Sequence, residues 1–184
     1  EKNFPNNPFT KRDKSIIRAL KISEKLLNET EYLEEILDIL AWSGKSSMSY
    51  SLLQELVGTN DNISIQNALG VALELRFIKR EKDETRFAIH RLLAKVRQFE
   101  KPLKERKEWH QKIVKNLEKW FRDKHDESKN LTEAEIELDH LETWQKQTLR
   151  YIPEDAVWLT LLKANPLIER GNYKEAQKFI ENAY

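Results

Sequence analysis

His90 is the residue of this chain whose type and position are best suited to chemistry, because it stands where two backbone patterns meet. Phe87 and Ile89 alternate like the residues of one face of a short strand, and Leu92 and Leu93 follow at helical spacing. A single histidine at such a junction is commonly a structural side chain bonded to a nearby backbone group. Whether His90 also has a functional role must therefore be judged from the residues around it.

Three further histidines, His110, His125 and His140, follow one another at intervals of 15 residues. A zinc site on a helix needs closer spacing and neighbouring carboxylates, so we predict scattered surface histidines and no metal site. The serines between residues 43 and 51 contain no nucleophile motif, and helix capping accounts for them as a polar loop and helix start. We predict no catalytic residue in this chain.

The composition indicates a helical protein without a strong charge preference for its partners. Of 184 residues, 34% are charged and only four are glycine, which favours long amphipathic helices. The net charge of +1 gives no overall field that would attract nucleic acid or a membrane. No phosphate-binding loop with Gly-Lys-Ser or Gly-Lys-Thr occurs, so we expect that this chain does not itself hydrolyse a nucleotide and is not an enzyme.

Several sequence features bear on where the protein is found. The absence of cysteine excludes disulfides and thiolate metal sites, and it fits a reducing compartment. No signal peptide and no apolar run long enough for a membrane span is visible, so we expect a cytoplasmic protein that does not bind a membrane. Because the chain has no initiator Met and stops at Tyr184 within a helical pattern, we expect it to be a fragment of a longer protein.

The first half shows helical patterns followed by a hairpin. Periodic apolar residues predict a first helix from near Lys11, and three more that contain Leu33–Leu40, Leu52–Leu56 and Ile65–Leu73. Ser43-Gly44 and Gly58 are expected to end two of them, and Asn60, Asp61 and Asn62 supply a turn and an N-cap. Phe77–Arg80 and Arg86–Ile89, on either side of Lys82–Glu84, predict a β-hairpin. Three helices followed by a hairpin is the winged-helix order.

The second half is predicted to be entirely helical. A break at Glu100–Pro102 precedes a helix of about six turns from Leu103 to Phe121. A capping box at Thr132–Glu135 predicts the start of a helix that runs through Trp144, and Pro153 starts another. Pro166 predicts a kink or an early stop, and Gly171-Asn172-Tyr173 predicts the turn of a helical hairpin. We therefore predict a mainly α protein with three parts: a linker and first helix (1–30), a winged-helix domain (31–100), and a helical linker with the start of helical repeats (101–184).

Charge is distributed unevenly over the second half. Residues 101–125 contain nine Lys or Arg and four Asp or Glu, whereas residues 126–142 contain seven acids and one Lys. The two stretches could attract each other, but exposed ion pairs are individually weak. Two solvated helix faces remain the simpler interpretation.

Two segments of the second half resemble parts of known families. Trp158, Ala164, Gly171-Asn172-Tyr173, Ala176 and Ala183 resemble a tetratricopeptide repeat, whose small residues let two helices approach closely. Glu135–Trp144 is similar to the helix that links a winged helix to a repeat array in signalling NTPases. These are the STAND ATPases of the NB-ARC type. In that family a Met-His-Asp motif follows the winged-helix hairpin, and Ile89-His90-Arg91-Leu92-Leu93 is similar to it. The resemblance also implies that the helix within residues 1–30 comes from the helical domain that precedes the winged helix in this family.

The resemblance implies a role for His90. It implies that the imidazole faces the β-phosphate of ADP bound to a nucleotide-binding domain upstream in the same chain, where a ring N–H can bond a phosphate oxygen. It also implies ADP or ATP as the cofactor of the full-length protein, with none held by this fragment, and protein or peptide ligands for the helical repeats. Arg91 stands where the family has aspartate, so the role of that aspartate does not transfer.

Three functions are compatible with these features. The first is a non-catalytic regulatory and interaction arm of a STAND NTPase, which stabilises the ADP-bound resting state. The alternative is a winged-helix DNA-binding transcription regulator. DNA is an unlikely partner, because Ile63–Leu75 contains no Lys or Arg and phosphate contacts would have to come from the hairpin: Lys79, Arg80, Lys82 and Arg86. A separate peptide-binding repeat scaffold is weakened because at most one repeat is visible.

Overall fold

The computed structural model describes residues 27, 29–81, 85–126, 131–169 and 171–181. The nine helices of this part, in chain order, are α1 (Leu33–Trp42), α2 (Tyr50–Val57), α3 (Asn62–Glu74), α4 (Arg91–Glu100), α5 (Lys107–Asp126), α6 (Leu131–Ile136), α7 (Leu138–Tyr151), α8 (Pro153–Glu169) and α9 (Tyr173–Glu181). The strands are β1 (Met48–Ser49), β2 (Ile78–Arg80) and β3 (Arg86–Ile89), and a 3₁₀ turn covers Leu103–Glu105. The predicted helix near Lys11, the hairpin loop Lys82–Glu84 and Ala183 lie outside the described residues.

The ends of the early helices follow the predicted capping residues. Asp61 caps α3 by accepting a hydrogen bond from the Ser64 backbone N–H at 3.0 Å. Gly58 ends α2 with a φ of 76°, a left-handed conformation that favours glycine. Helix α1 ends at Ser43, as its sequence predicts. These local signals fix the lengths of the three helices that lie before the hairpin.

A small antiparallel sheet follows the order β1-β3-β2, so β3 is central. Ile78 pairs with Ile89 in the predicted hairpin, and Met48 pairs with Phe87 on the other side of β3. Strand β1 is a difference from our interpretation of residues 43–51 as a polar loop and helix start. Two residues are too few to show alternation, and β1 is a strand only because β3 supplies its hydrogen-bond partners.

One cluster of buried apolar side chains extends across both halves of the chain. It includes Leu37 of α1, Leu53 of α2, Leu117 of α5 and Trp144 of α7, each fully buried. Helix α5 packs against α2, α7 and α8, and therefore lies between the first helices and the last ones. The division at residue 100 stays a prediction about domains.

The later helices depart from the sequence interpretation at three places. The helix predicted from Leu103 begins at Lys107, because Leu103–Glu105 forms a 3₁₀ turn. The helix expected from the capping box is broken at Glu137, and Thr132 lies inside α6 instead of capping it. A buried hydrogen-bonding role for Glu137, described below, accounts for the break. The predicted stop at Pro166 is also wrong, because α8 continues to Glu169. This proline falls in the last turn, where packing of α8 on α7 and α9 supports the helix.

The basic residues of α5 find acidic partners on several elements. Most of these partners come from outside the acidic stretch 126–142, so attraction between the two neighbouring stretches accounts for only one of the pairs. The ion pairs are Lys107–Glu154 (3.4 Å), Lys112–Glu35 (2.8 Å), Lys119–Glu55 (2.7 Å) and Lys124–Glu133 (3.0 Å). Each is partly exposed and is worth at most about 1 kcal/mol.

Candidate functional site

His90 lies between the end of β3 and the start of α4, as the sequence predicts, and its side chain is exposed. Its backbone N–H donates to the Phe77 carbonyl at 2.8 Å, which extends the β2–β3 pairing by one residue. Its ring Nδ1 accepts from the Leu92 backbone N–H at 3.4 Å, which is long for a hydrogen bond. The backbone therefore holds His90 in place while most of the imidazole faces solvent.

Three exposed cations lie near His90 in the sequence or next to its backbone partner. Arg91 follows His90, and Lys95 lies one helical turn later on α4. Arg76 precedes Phe77, the hydrogen-bonding partner of His90, and is exposed as well. Within the described residues none of the three forms an ion pair. This arrangement suits an anionic group that binds beside the imidazole.

Arg76 has an unusual backbone for its residue type. Its φ is 56°, in the left-handed region that ends many helices and that normally favours glycine. Its N–H bonds the Leu73 carbonyl at 3.0 Å, and the Phe77 N–H bonds the Ala72 carbonyl at 2.9 Å. The chain thus ends α3 with an arginine where glycine would be less strained.

The prediction that the other histidines are surface residues is wrong for two of them. His110 and His140 are 0% and 1% exposed, respectively, and the side chain of His125 lies outside the described residues. The helical spacing of both histidines relative to apolar residues indicates that they are buried. His110 continues the apolar face of Ile113 and Leu117, and His140 shares a face with Trp144.

His110 is held between α5 and α7 as a neutral ring. Its Nε2 lies 3.1 Å from Thr148 Oγ1, and this hydroxyl donates to the Trp144 carbonyl at 2.7 Å. Thr148 therefore accepts from His110, and Nε2 carries the ring proton. Nδ1 is buried with no hydrogen-bond partner among the described residues. Burial lowers the pKa of His110 from 6.5 to about 4, against a smaller opposite effect of Asp155.

A second buried polar cluster joins the sheet to the turn between α6 and α7. Glu137 is 0% exposed, and its Oε1 accepts from Arg86 Nη1 at 2.5 Å and from the Ser49 backbone N–H at 3.2 Å. Arg86 also donates to Ser47, to its hydroxyl at 3.2 Å and to its carbonyl. Oε1 of the carboxylate is thus hydrogen-bonded twice, whereas the buried Oε2 has no hydrogen-bond partner among the described residues.

His140 completes this cluster. Its Nδ1 lies 2.7 Å from the Ser43 carbonyl oxygen, and its Nε2 lies 3.1 Å from the Ser47 carbonyl oxygen and 3.3 Å from Glu137 Oε2. Carbonyl oxygens only accept hydrogen bonds, so both contacts are hydrogen bonds only when both ring nitrogens carry a proton. The ring therefore joins the segment between α1 and β1 to helix α7.

The hairpin cations that DNA binding would need are partly engaged within the protein. Arg86 is paired with Glu137, and the Arg80 guanidinium lies 5.5 Å from the centre of the Phe87 ring. Lys79 is exposed, and Lys82 lies outside the described residues. The exposed residues of α3 are uncharged near its start: Asn62, Ile63, Gln66 and Asn67.

A groove of about 540 Å³ lies between α2 and α5. Both described cations that line it are paired, Lys119 with Glu55 at 2.7 Å and Lys124 with Glu133 at 3.0 Å. Within the described ranges, no group of three or more His, Cys, Asp or Glu side chains is arranged to hold a metal ion. The described helices include none that is long and apolar enough to span a membrane.

Comparison with known proteins yields no relative: the chain matches no protein-family model, no curated protein and no solved structure. The site must therefore be interpreted from its own geometry. In that geometry the exposed His90 has two exposed cations after it on α4 and a third beside its backbone partner Phe77, and a buried ionic cluster lies at the other end of the same strand.

Proposed function

We propose that this chain is the non-catalytic regulatory and interaction arm of a STAND-type NTPase, in which His90 contacts the phosphate of ADP bound to an upstream nucleotide-binding domain. The observation that carries the proposal is the exposed His90, with the exposed Arg91 and Lys95 after it in the sequence and the exposed Arg76 beside its backbone partner Phe77. A doubly charged phosphate is a suitable partner for an imidazole N–H and guanidinium groups. Arg91 supplies a cation where the family has aspartate, which strengthens the attraction for phosphate.

Helices α1, α2 and α3 with the three strands are, in this proposal, a winged helix. The order of three helices and a hairpin supports it, as does a third strand, β1, between α1 and α2. In this arrangement β2 and β3 form the wing, and His90 lies at its base on the side of α4.

Helices α8 and α9 are, in this proposal, the start of a tetratricopeptide-like array that binds protein or peptide ligands. They pack against each other around Ala164 and Ala176, both buried, and Gly171 takes a φ of 75° in the turn. Trp158 is 57% exposed and Tyr173 is 66% exposed, which leaves large apolar surface for a partner.

The alternative, a winged-helix DNA-binding regulator, has less support. Arg86 forms an ion pair with Glu137, and none of the exposed residues near the start of α3 is a cation. Phosphate contacts provide most of the nonspecific affinity for DNA, so we expect weak and nonspecific binding. A defined DNA motif bound with nanomolar affinity at physiological salt would instead favour this alternative.

The test of the main proposal is ADP release from the protein that joins this chain to its nucleotide-binding domain. His90→Ala removes a charge-assisted hydrogen bond of about 1.5 to 3 kcal/mol, so the equilibrium moves roughly 10- to 150-fold away from the ADP-bound resting state. Thermal unfolding of the same variant is the control, because a purely structural His90 would lower Tm and leave ADP release unchanged. Unchanged release from a folded variant would contradict the proposal.

A separate expectation concerns the present chain alone. It contains one part of the phosphate contact and lacks the main nucleotide cradle, so calorimetry should find ADP affinity weaker than micromolar. Micromolar binding by this chain would contradict the assignment.

A further inference from the structure

Strand β3 has the buried ionic cluster at one end and His90 at the other. Arg86 is its first residue, and His90 follows its last residue, Ile89. An extended strand rises about 3.3 Å per residue, so the two positions are roughly 13 Å apart along the backbone. The buried ionic cluster and His90 are thus connected by four peptide bonds of one strand.

The Arg86 end of the strand is bound to the second half of the chain. Glu137, in the turn between α6 and α7, accepts from Arg86 at 2.5 Å and from the Ser49 N–H at 3.2 Å. Ser49 is the β1 residue that pairs with Arg86. A shift of this turn therefore acts on β1 and β3 together.

The His90 end is bound to the first half. Its N–H bonds the Phe77 carbonyl at 2.8 Å, and α4, which it precedes, is tied to α1. That tie is a buried ion pair in which Arg97 Nε donates to Asp38 Oδ1 at 2.6 Å. His90 consequently lies between a helix anchored on α1 and a strand whose far end is held by the α6–α7 turn.

We infer that the α6–α7 turn sets the position of His90 through Arg86 and β3, so that movement of helices α7 to α9 regulates the phosphate contact. The regulatory role rests on the proposed function, whereas the mechanical connection does not. Helix α7 packs on α8, and α8 packs on α9, so a ligand that displaces the last helices acts on the turn through continuous packing. A buried ion pair in a low-dielectric site holds the turn and the strand in one geometry.

The connection is tested on the present chain without nucleotide. Glu137→Gln removes the charge that faces Arg86 at nearly constant volume. We expect the NMR signals of His90 to shift and amide hydrogen exchange of β3 to accelerate about tenfold or more, because the strand loses its anchor.

Glu142→Gln is the matched control. It makes the same chemical change five residues later, on α7, and it weakens the Lys163–Glu142 pair of 2.9 Å between α8 and α7. The control should leave the signals of His90 and β3 unchanged. A Glu137→Gln variant that perturbs only residues 43–51 and 133–140, with His90 unchanged, would overturn the inference.

Two further measurements keep the test decisive. If Glu137→Gln fails to fold, Glu137→Asp keeps the charge and withdraws it by one methylene, and it must move the His90 signals in the same way.

ADP release from the nucleotide-bound protein then separates the two proposals. If His90→Ala accelerates ADP release and Glu137→Gln does not, the connection is rejected and the phosphate contact stands. If Glu137→Gln shifts the His90 signals but His90→Ala leaves ADP release unaltered, the phosphate contact is rejected and the connection stands.

Discussion

Glu137 and Arg86 form a buried ion pair with 2.5 Å between Oε1 and Nη1, although 51 residues separate them in the chain. The pair explains why a helix that the sequence predicts as continuous is broken at Glu137. The carboxylate must point into the sheet, and the turn between α6 and α7 gives it that direction.

Glu137→Ala should lower the free energy of unfolding by about 3 to 5 kcal/mol, because it leaves the Arg86 charge poorly compensated. Urea unfolding followed by circular dichroism measures the loss. Replacing both partners with apolar residues, Arg86→Met with Glu137→Leu, should recover much of it. A loss below about 1 kcal/mol in the single variant would place the pair among weak surface interactions.

His140 should stabilise the fold through its buried ring. The Ser43 and Ser47 carbonyl oxygens lie 2.7 Å from Nδ1 and 3.1 Å from Nε2, respectively. His140→Ala removes this donor from a buried polar site and should cost about 1 to 3 kcal/mol. Urea unfolding measures the loss, and a change below about 0.5 kcal/mol would contradict this role of the ring.

The sequence predicts the parts of this fold that depend on local signals. Asp61 and Gly58 act within a few residues of the chain, so their effects on α3 and α2 can be read directly. Strand β1 and the break at Glu137 could not be predicted from the sequence, because each depends on partners about 40 or more residues away. His90 could be placed from the change of periodicity alone, whereas its cationic neighbour Arg76 needed the pairing with Phe77.

Acidification should weaken the fold through His110. Its pKa is about 4 in the folded protein against 6.5 when unperturbed, because burial disfavours the charged ring. The unfolded chain therefore binds a proton at a higher pH than the folded one, and stability falls as the pH drops from 6.5 to about 4. The contribution is about 2 to 3 kcal/mol.

The control for this pH dependence is His110→Gln, which keeps an N–H for Thr148 and cannot titrate. Its stability should change less between these two pH values than that of the unmodified chain. Urea unfolding at a series of pH values provides the comparison. An equal slope in both proteins would assign the pH dependence to other groups.

Gly58 and Gly70 should respond to alanine with opposite signs. At Gly58, φ is 76° and an added Cβ would lie 2.8 Å from Asn116 Nδ2, so Gly58→Ala should cost about 1 to 2 kcal/mol. Gly70 lies inside α3 with nothing within 4 Å of an added Cβ, and Gly70→Ala should stabilise by about 0.5 to 1 kcal/mol. Thermal unfolding of both variants measures the difference, and equal signs would reject this account of the two backbones.

The hydrogen bond from Trp144 Nε1 to Ser43 Oγ spans 101 residues, and it has a consequence for synthesis of the protein. At about 5 to 20 residues per second, a ribosome needs roughly 5 to 20 s to reach Trp144 after Ser43. During that interval the polar groups of residues 43–49 are made before their partners on α7 exist. The newly made first half must therefore wait, with part of its apolar surface accessible to chaperones, until the second half emerges from the exit tunnel.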